Sequence, residues 1–334
     1  MRTTRRFAAL IFTLTLSLAP ARAFAWNNCG HMLVAEIAYQ ELLRNNPELL
    51  AKIIATLKKH PRLEDLEAEI AAHHITEDAH DHYLFLIAAT WPDLVKQSGR
   101  KNPEHGGGRF DPEDHREWHY VDLPYDQDGK EHAAEKFDES PWKPGSRAEP
   151  RNCEQALDKC EAELRDADAS DAAKAKALCW VEHLIGDIHQ PLHCATMYSA
   201  TMPEEAPFEK GDKGGNLFFL EEKSSHGHLR KELHAYWDDV LGKSMSLSHL
   251  HQYARHLIAI HARKELKKEL AESSERDWAH ASHALAVQYA YLNGKLTPNH
   301  EPGEEYFYAA QKVAETQVAL GGYRLADKLA AAMK

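Results

Sequence analysis

Positive charge is scarce in this 334-residue sequence: 40 Lys and Arg face 52 Asp and Glu, for a formal net charge of −12. That balance argues against the broad phosphate contacts of a protein that grips duplex nucleic acid. Long apolar runs are missing too. The one candidate, Phe7 to Leu18, is shorter than the roughly 20 residues needed to span a bilayer, so no stable membrane anchor is expected. Cysteine is sparse and odd in number. Of Cys29, Cys153, Cys160, Cys179 and Cys194, at least one must be free or pair between chains. Cys153 and Cys160 stand seven apart on an expected helix and would need local unwinding to bridge. For Cys179 and Cys194 a buried thiol is the simpler reading. No internal repeat, coiled coil or interdomain linker is visible. With 43% hydrophobic and 28% charged residues, the chain is nonetheless globular and able to bury a sizeable core.

Histidine is what the sequence has in excess, 23 residues of it. At the N-terminus, Arg2, Arg5 and Arg6 precede the apolar run, and Ala23-Phe24-Ala25 reads as a small-residue cleavage site. Residues 1–25 are expected to be a signal peptide and 26–334 one domain starting at Trp26, exported to the periplasm or secreted. The residues after Arg5-Arg6 fit a twin-arginine signal poorly, so general export fits better.

Apolar spacing predicts helices over Gly30–Leu43, Pro47–Lys58, Arg62–Ala72 and Tyr83–Ala89, the last stopping at Trp91-Pro92 so that Asp93 sits at a break. His73, His74, His80 and His82, beside Asp78 and Asp81, read either as a solvated face or as a metal cluster. Residues from Lys96 to Glu117 look like a loop, and Trp118–Leu123 like a short extended segment. In it His119 and Val121 would face one way, Tyr120 and Asp122 the other. A charged loop over 124–150 follows. Further helices are expected over Asn152–Arg165, Ala172–His189, Leu229–Leu241, Leu247–Ala262, Glu275–Leu292 and Glu304–Ala332. The fold class is mainly α, a single multi-helix domain with minor short strands.

Two stretches carry chemistry. In CWVEHLIGDIHQPLHC, His183 and Asp187 stand four apart and so leave one face of a helix. Pro191 ends that helix and His193 follows on the turn. In LRKELHAYWDDV, His234 and Asp238 repeat the spacing. An isolated pair of this kind is most often an ordinary polar face. Two pairs with a fifth ligand suit zinc, which takes imidazole and carboxylate together.

In order along the chain stand Trp26 with His31, Trp91-Pro92-Asp93, His119 before Tyr-Val-Asp, the run from His183 to His193, Gly214-Gly215-Asn216 and His234-Ala-Tyr-Trp-Asp238. Together these resemble the secreted trinuclear-zinc nucleases of the S-one/P-one type, whose superfamily includes zinc-dependent phospholipase C. Gly321-Gly322-Tyr323-Arg324-Leu325-Ala326 is similar to that family's closing helix. The resemblance implies a nuclease/phospholipase C-like fold and three zinc ions. Asp93, His119, His183 and Asp187 would hold the first, and His193, His234 and Asp238 the second. Trp26, through its α-amino nitrogen and carbonyl oxygen, would hold the third with His31 and Asp187, which requires cleavage before Trp26. An α-amino group, with a pKa of about 8, gives up its proton to zinc readily.

Clustered zinc would bring a bound water towards a pKa of about 7. Asp93 would orient or deprotonate that water, and Lys96 would stand where the family has arginine, a point charge in place of a bidentate fork. Tyr120 and Asp122 would hold a base, and Asn216 either lines that pocket or serves the Gly-rich turn. Stacking on an aromatic plate requires an unpaired base. The implied substrates are therefore single-stranded DNA and RNA, cleaved to 5′-phosphorylated products, together with 3′-nucleotides. Asp238, where the phospholipase pattern has glutamate, argues against a phospholipase C, the alternative enzyme. A non-catalytic zinc-binding export protein is the third reading. A monomer is expected.

Overall fold

The computed structural model describes residues 26–98, 111–129, 140–204, 207–224 and 227–333. The expected signal peptide, 1–25, lies outside them, as do parts of the expected loops. Twelve α-helices and four short strands form among the described residues, so the fold is mainly α.

Helix α1 (Asn28–Asn45) is the central member, packed by α2 (Pro47–Leu57), α4 (His80–Ala88), α7 (Asp171–Ile188), α9 (Leu247–Ile260) and the long α12 (Glu304–Ala332). It is buried on nearly every side over its first three turns, which explains why it lacks a wide polar face. Even Glu36 is buried there. Its carboxylate accepts hydrogen bonds from His82 at 2.5 Å, His251 at 2.9 Å and Gln40 at 2.7 Å. The His-rich stretch is thereby used in packing: His82 meets Glu36 and His80 meets Glu67 at 2.9 Å. No group of three metal ligands gathers there among the described residues.

Several expectations are corrected. Asp93 does not sit at a break but in the first turn of α5 (Trp91–Ser98), which also carries Lys96. Pro92 starts this helix because a proline in the first turn lacks only an N–H that would have no partner. Trp118–Leu123 opens with a 3₁₀ turn, Arg116–His119, and pairing begins later: β1 (Pro124–Asp126) runs parallel to β2 (Thr196–Tyr198). The predicted alternation survives, with His119 and Val121 buried and Tyr120 and Asp122 exposed. The helix expected from Leu229 is instead strand β4 (Gly227–Glu232), paired antiparallel with β3 (Phe219–Ser224), and only then α8 (Leu233–Asp239). Here pairing with a distant partner strand overrides the local period. The helix expected to run to Leu292 is α-helical only as α11 (Glu275–Leu285), then widens into a π turn, Ala286–Ala290. The wider turn brings Tyr291 to donate to buried Asp212 at 2.9 Å.

The remaining helices are α3 (Leu63–Ala72), α6 (Cys153–Arg165) and the single turn α10 (Lys267–Leu270). All five cysteines are buried and unbridged. Burial pushes the Cys29 and Cys160 thiols up to about 12, so they are inert.

The core has two parts. One is built on α1, α2, α4, α6 and α7; the other on β3, α8, the π turn and the start of α12. Leu192 belongs to the second and Cys194 to the first, so His193 between them marks the seam.

Candidate metal centre

Six local elements deliver polar side chains to that seam. α1 brings His31, α5 Asp93, the turn at Arg116–His119 brings His119, α7 His183 and Asp187, the turn Pro191–Cys194 His193, and α8 His234 and Asp238. All are buried. Helix α7 starts cleanly because Ser170 Oγ accepts from Ala173 N at 3.2 Å. It ends at Ile188, and Pro191 then requires the extended conformation that Gln190 adopts.

Asp187 is the hub. Its oxygens lie 3.2 Å from both His119 Nδ1 and His183 Nε2, 3.5 Å from His31 Nε2 and 3.6 Å from His193 Nδ1. Yet neither oxygen accepts a hydrogen bond among the described residues, and the same is true of both oxygens of Asp93. Imidazole nitrogens also face each other, His183 Nε2 and His119 Nδ1 at 2.9 Å, His193 Nε2 and His234 Nε2 at 3.1 Å. Buried carboxylate oxygens without a donor cost free energy that a cation among these imidazoles would offset. Three groups could each hold a metal ion: His31, Asp93 and His183; His119, His183 and Asp187; His193, His234 and Asp238.

The far nitrogens are fixed by backbone carbonyls. His183 Nδ1 donates to Ala89 O at 2.8 Å, His193 Nδ1 to His119 O at 2.5 Å and His234 Nδ1 to Gly214 O at 2.6 Å. Each bond sets the tautomer that leaves Nε2 available inward. Gly214 and Gly215 take positive φ, and a Cβ at Gly214 would lie 2.6 Å from Leu192 O. Glycine is therefore required for the turn that presents this carbonyl.

Burial sets the electrostatics. It lowers His31 and His119 well below the ordinary histidine value, helped by the neighbouring imidazoles and Lys96. For His183 burial is outweighed by Asp187, and the net shift is upward. Asp187 rises to about 6 and Asp238 well above the carboxylate range, both through burial. Carboxylates so reluctant to ionise in the protein alone are ready to be stabilised by a positive charge.

The other predicted residues sit at the edges. Trp26 is fully buried against Gly30, and the next residue, Asn27, donates its N–H to Asp238 O at 3.3 Å. Lys96 Nζ lies 3.6 Å from Asp93 Oδ1. Tyr120 is exposed, and Asp122, also exposed, accepts from Thr196 Oγ1 at 2.6 Å. Asn216 donates to Lys213 O at 2.7 Å, while its buried Oδ1 has no partner.

Sequence reading missed the supports. Gln190 donates to Asp238 Oδ1 at 2.7 Å and accepts from Leu192 N at 2.6 Å, tying the α7 motif to α8. Asp212 accepts from Met197 N and Tyr291 and anchors the Gly-rich turn. Only its place just before the glycines was a signal.

The sequence model of the S1/P1 Nuclease family matches residues 26–334, which takes in every candidate ligand described above. The chain belongs to the S1/P1 nuclease family. It is also similar to Endonuclease 5 of Arabidopsis thaliana, 29% identical over 171 residues, and to Endonuclease 4 of the same plant, 28% over 172 residues. Each match covers 46% of this chain, with 50% of Endonuclease 5 and 49% of Endonuclease 4. The chain thus spans about half the length of the curated relatives it matches.

Proposed function

We propose that this member of the S1/P1 nuclease family is an exported, zinc-dependent phosphodiesterase. Its substrates are single-stranded DNA and RNA, cleaved to 5′-phosphorylated products, and it also removes 3′-phosphates from nucleotides. The observation that carries this is the pairless Asp187 carboxylate, with four imidazole nitrogens within 3.6 Å and no hydrogen bond to either oxygen.

The ligand sets are those the family resemblance implies, which place His31 with Asp187, 3.5 Å away, rather than with Asp93 and His183, the group it forms by proximity alone. Asp93, His119, His183 and Asp187 serve one zinc; His193, His234 and Asp238 a second; Trp26, His31 and Asp187 a third. The Trp26 role requires removal of residues 1–25. When bound, zinc lowers the pKa of a water to about 7 and polarises phosphoryl oxygens.

Asp93 orients the attacking water and takes its proton. The water oxygen bonds to phosphorus in line as the bond to the 3′ oxygen breaks, and that oxygen leaves by taking a proton from solvent. Lys96, beside Asp93, offsets charge gathering on the phosphoryl oxygens. Tyr120, exposed at the rim, stacks on an unpaired base, and Asp122 and Asn216 accept its hydrogen bonds. A duplex cannot offer that base without unstacking, which supports single strands as the substrate.

The test uses protein starting at Trp26, stripped of metal and refilled with zinc. Release of acid-soluble nucleotides from heat-denatured DNA should return with zinc, and 3′-AMP should lose phosphate. No release by folded, zinc-loaded protein, with cleavage of a phosphatidylcholine analogue instead, would overturn the assignment.

A further inference from the structure

Two glycines sit where the centre is most crowded. Gly186 lies inside α7, one residue before Asp187, although glycine is a poor helix former. A Cβ built there would stand 2.5 Å from His31 Nδ1 and 3.0 Å from its Cε1, distances that side-chain carbons do not tolerate. On its other flank the His31 ring stacks on His183, centroids 4.0 Å apart and planes 16° from parallel. His31 is thus a flat plate in a slot. One wall is the His183 ring and the other is the side chain that Gly186 lacks. The ring is wholly buried, and neither of its nitrogens has a hydrogen-bond partner among the described residues. Shape alone aims its Nε2, 3.5 Å away, at Asp187. Gly30 does the same for Trp26: a Cβ there would lie 2.7 Å from Trp26 Cβ and 3.1 Å from its Cγ.

We propose that Gly186 and Gly30 are positioning residues that create one metal position of the three, the one formed by Trp26, His31 and Asp187. A methyl group at either glycine empties that position and leaves the other two filled. This rests on the zinc reading above. Alanine favours the helix more than glycine does, so the backbone carrying His183 and Asp187 stays helical and the start of α1 gives way. His183, His193 and His234 are held by the carbonyls of Ala89, His119 and Gly214, none of them on α1.

The test measures zinc per chain by mass spectrometry in protein starting at Trp26, loaded with zinc and exchanged into metal-free buffer, with far-UV circular dichroism alongside. The expected result is three zinc ions in the parent chain and two in Gly186→Ala and in Gly30→Ala, with the helical signal unchanged. Gly186→Ala/His31→Ala should also hold two, since both changes act on one contact. A folded Gly186→Ala chain with three zinc ions, or with one or none, overturns the slot while leaving the zinc reading intact. If Gly186→Ala fails to fold, the double variant decides: folding regained with two zinc ions supports the slot, and continued failure overturns it. Fewer than three zinc ions in the parent chain overturns the three-zinc reading and the proposal with it.

Discussion

Glu182 stands in the middle of α7, wholly buried, and neither of its carboxylate oxygens has a hydrogen-bond partner among the described residues. Burial pushes its carboxyl well above the usual range and so favours the protonated form. In the unfolded chain it ionises near about 4.3. The folded protein therefore holds the extra proton above that value, and this group's contribution to stability is lost as pH rises. Glu182→Met, close in volume and without polar oxygens, should stabilise by about 1–3 kcal/mol. The gain should be larger at pH 8 than at pH 5. Urea melts at the two pH values check this, and equal gains would refute the account. On the proposed function, Lys96 bears on rate instead. Removing a single charge-stabilising group costs on the order of 10²–10³ in kcat, so Lys96→Ala should slow hydrolysis of denatured DNA by about that factor. Lys96→Arg, offering a bidentate fork, should equal or exceed the parent. Both variants should keep the parent's zinc content, since the proposed ligand sets do not include Lys96.

At the scale of elements, α7 and α8 must keep register for His193 and Asp238 to reach the one metal that their group could hold. Gln190 is the strut between them. Gln190→Leu keeps most of the volume and removes both bonds, leaving Asp238 Oδ1 without the donor that eases its burial. Supports of this kind typically contribute 10–100-fold in metal affinity, so zinc competition against a chelator should show one of the sites weakened by about that much. Unchanged affinity would mean that packing alone holds the register. The back of α7 is held from α12. Arg324, lying over Trp278, donates to His189 Nε2 at 2.7 Å, and Gln317 donates to His189 O at 3.3 Å. The Gly321–Ala326 stretch thus braces the motif from outside the metal centre.

Across the whole molecule, the proposed zinc would couple metal and fold through pH. Asp187 sits at about 6 without metal, and metal binding requires it ionised. Zinc affinity should be retained above that value and fall as pH drops through it, with protons released on binding. Calorimetric titration in buffers of different ionisation enthalpy, repeated at pH 5 and 7.5, would measure this; no proton release at pH 5 would contradict it. Stripping zinc at pH 7 should lower Tm, because the clustered imidazoles and carboxylates then remain buried without a counter-charge. Chelation that leaves Tm unchanged would argue that the metals contribute nothing to the fold. Among the described residues, no helix is long and apolar enough to cross a membrane.

Much of the site could be read from the chain because its ligands come as local pairs. His183 with Asp187 and His234 with Asp238 are each set four apart by helix geometry, and burial fixes which face they share. The long helices were equally legible, since α2, α6, α9 and α12 owe their limits to apolar period, caps and prolines that act over a few residues. Other features were decided only by tertiary structure. The β3–β4 hairpin depends on a partner strand, and the π turn places Tyr291 beside Asp212. The convergence of His31, His119 and Asp187 belongs to this second class as well. Residues 31, 119 and 187 are far apart in sequence, and only the packing of α1 and the Arg116–His119 turn against α7 brings their polar atoms together. Local chemistry determined which side chains were able to bind metal; the close approach of α1 to Gly186 decided that they gather in one place.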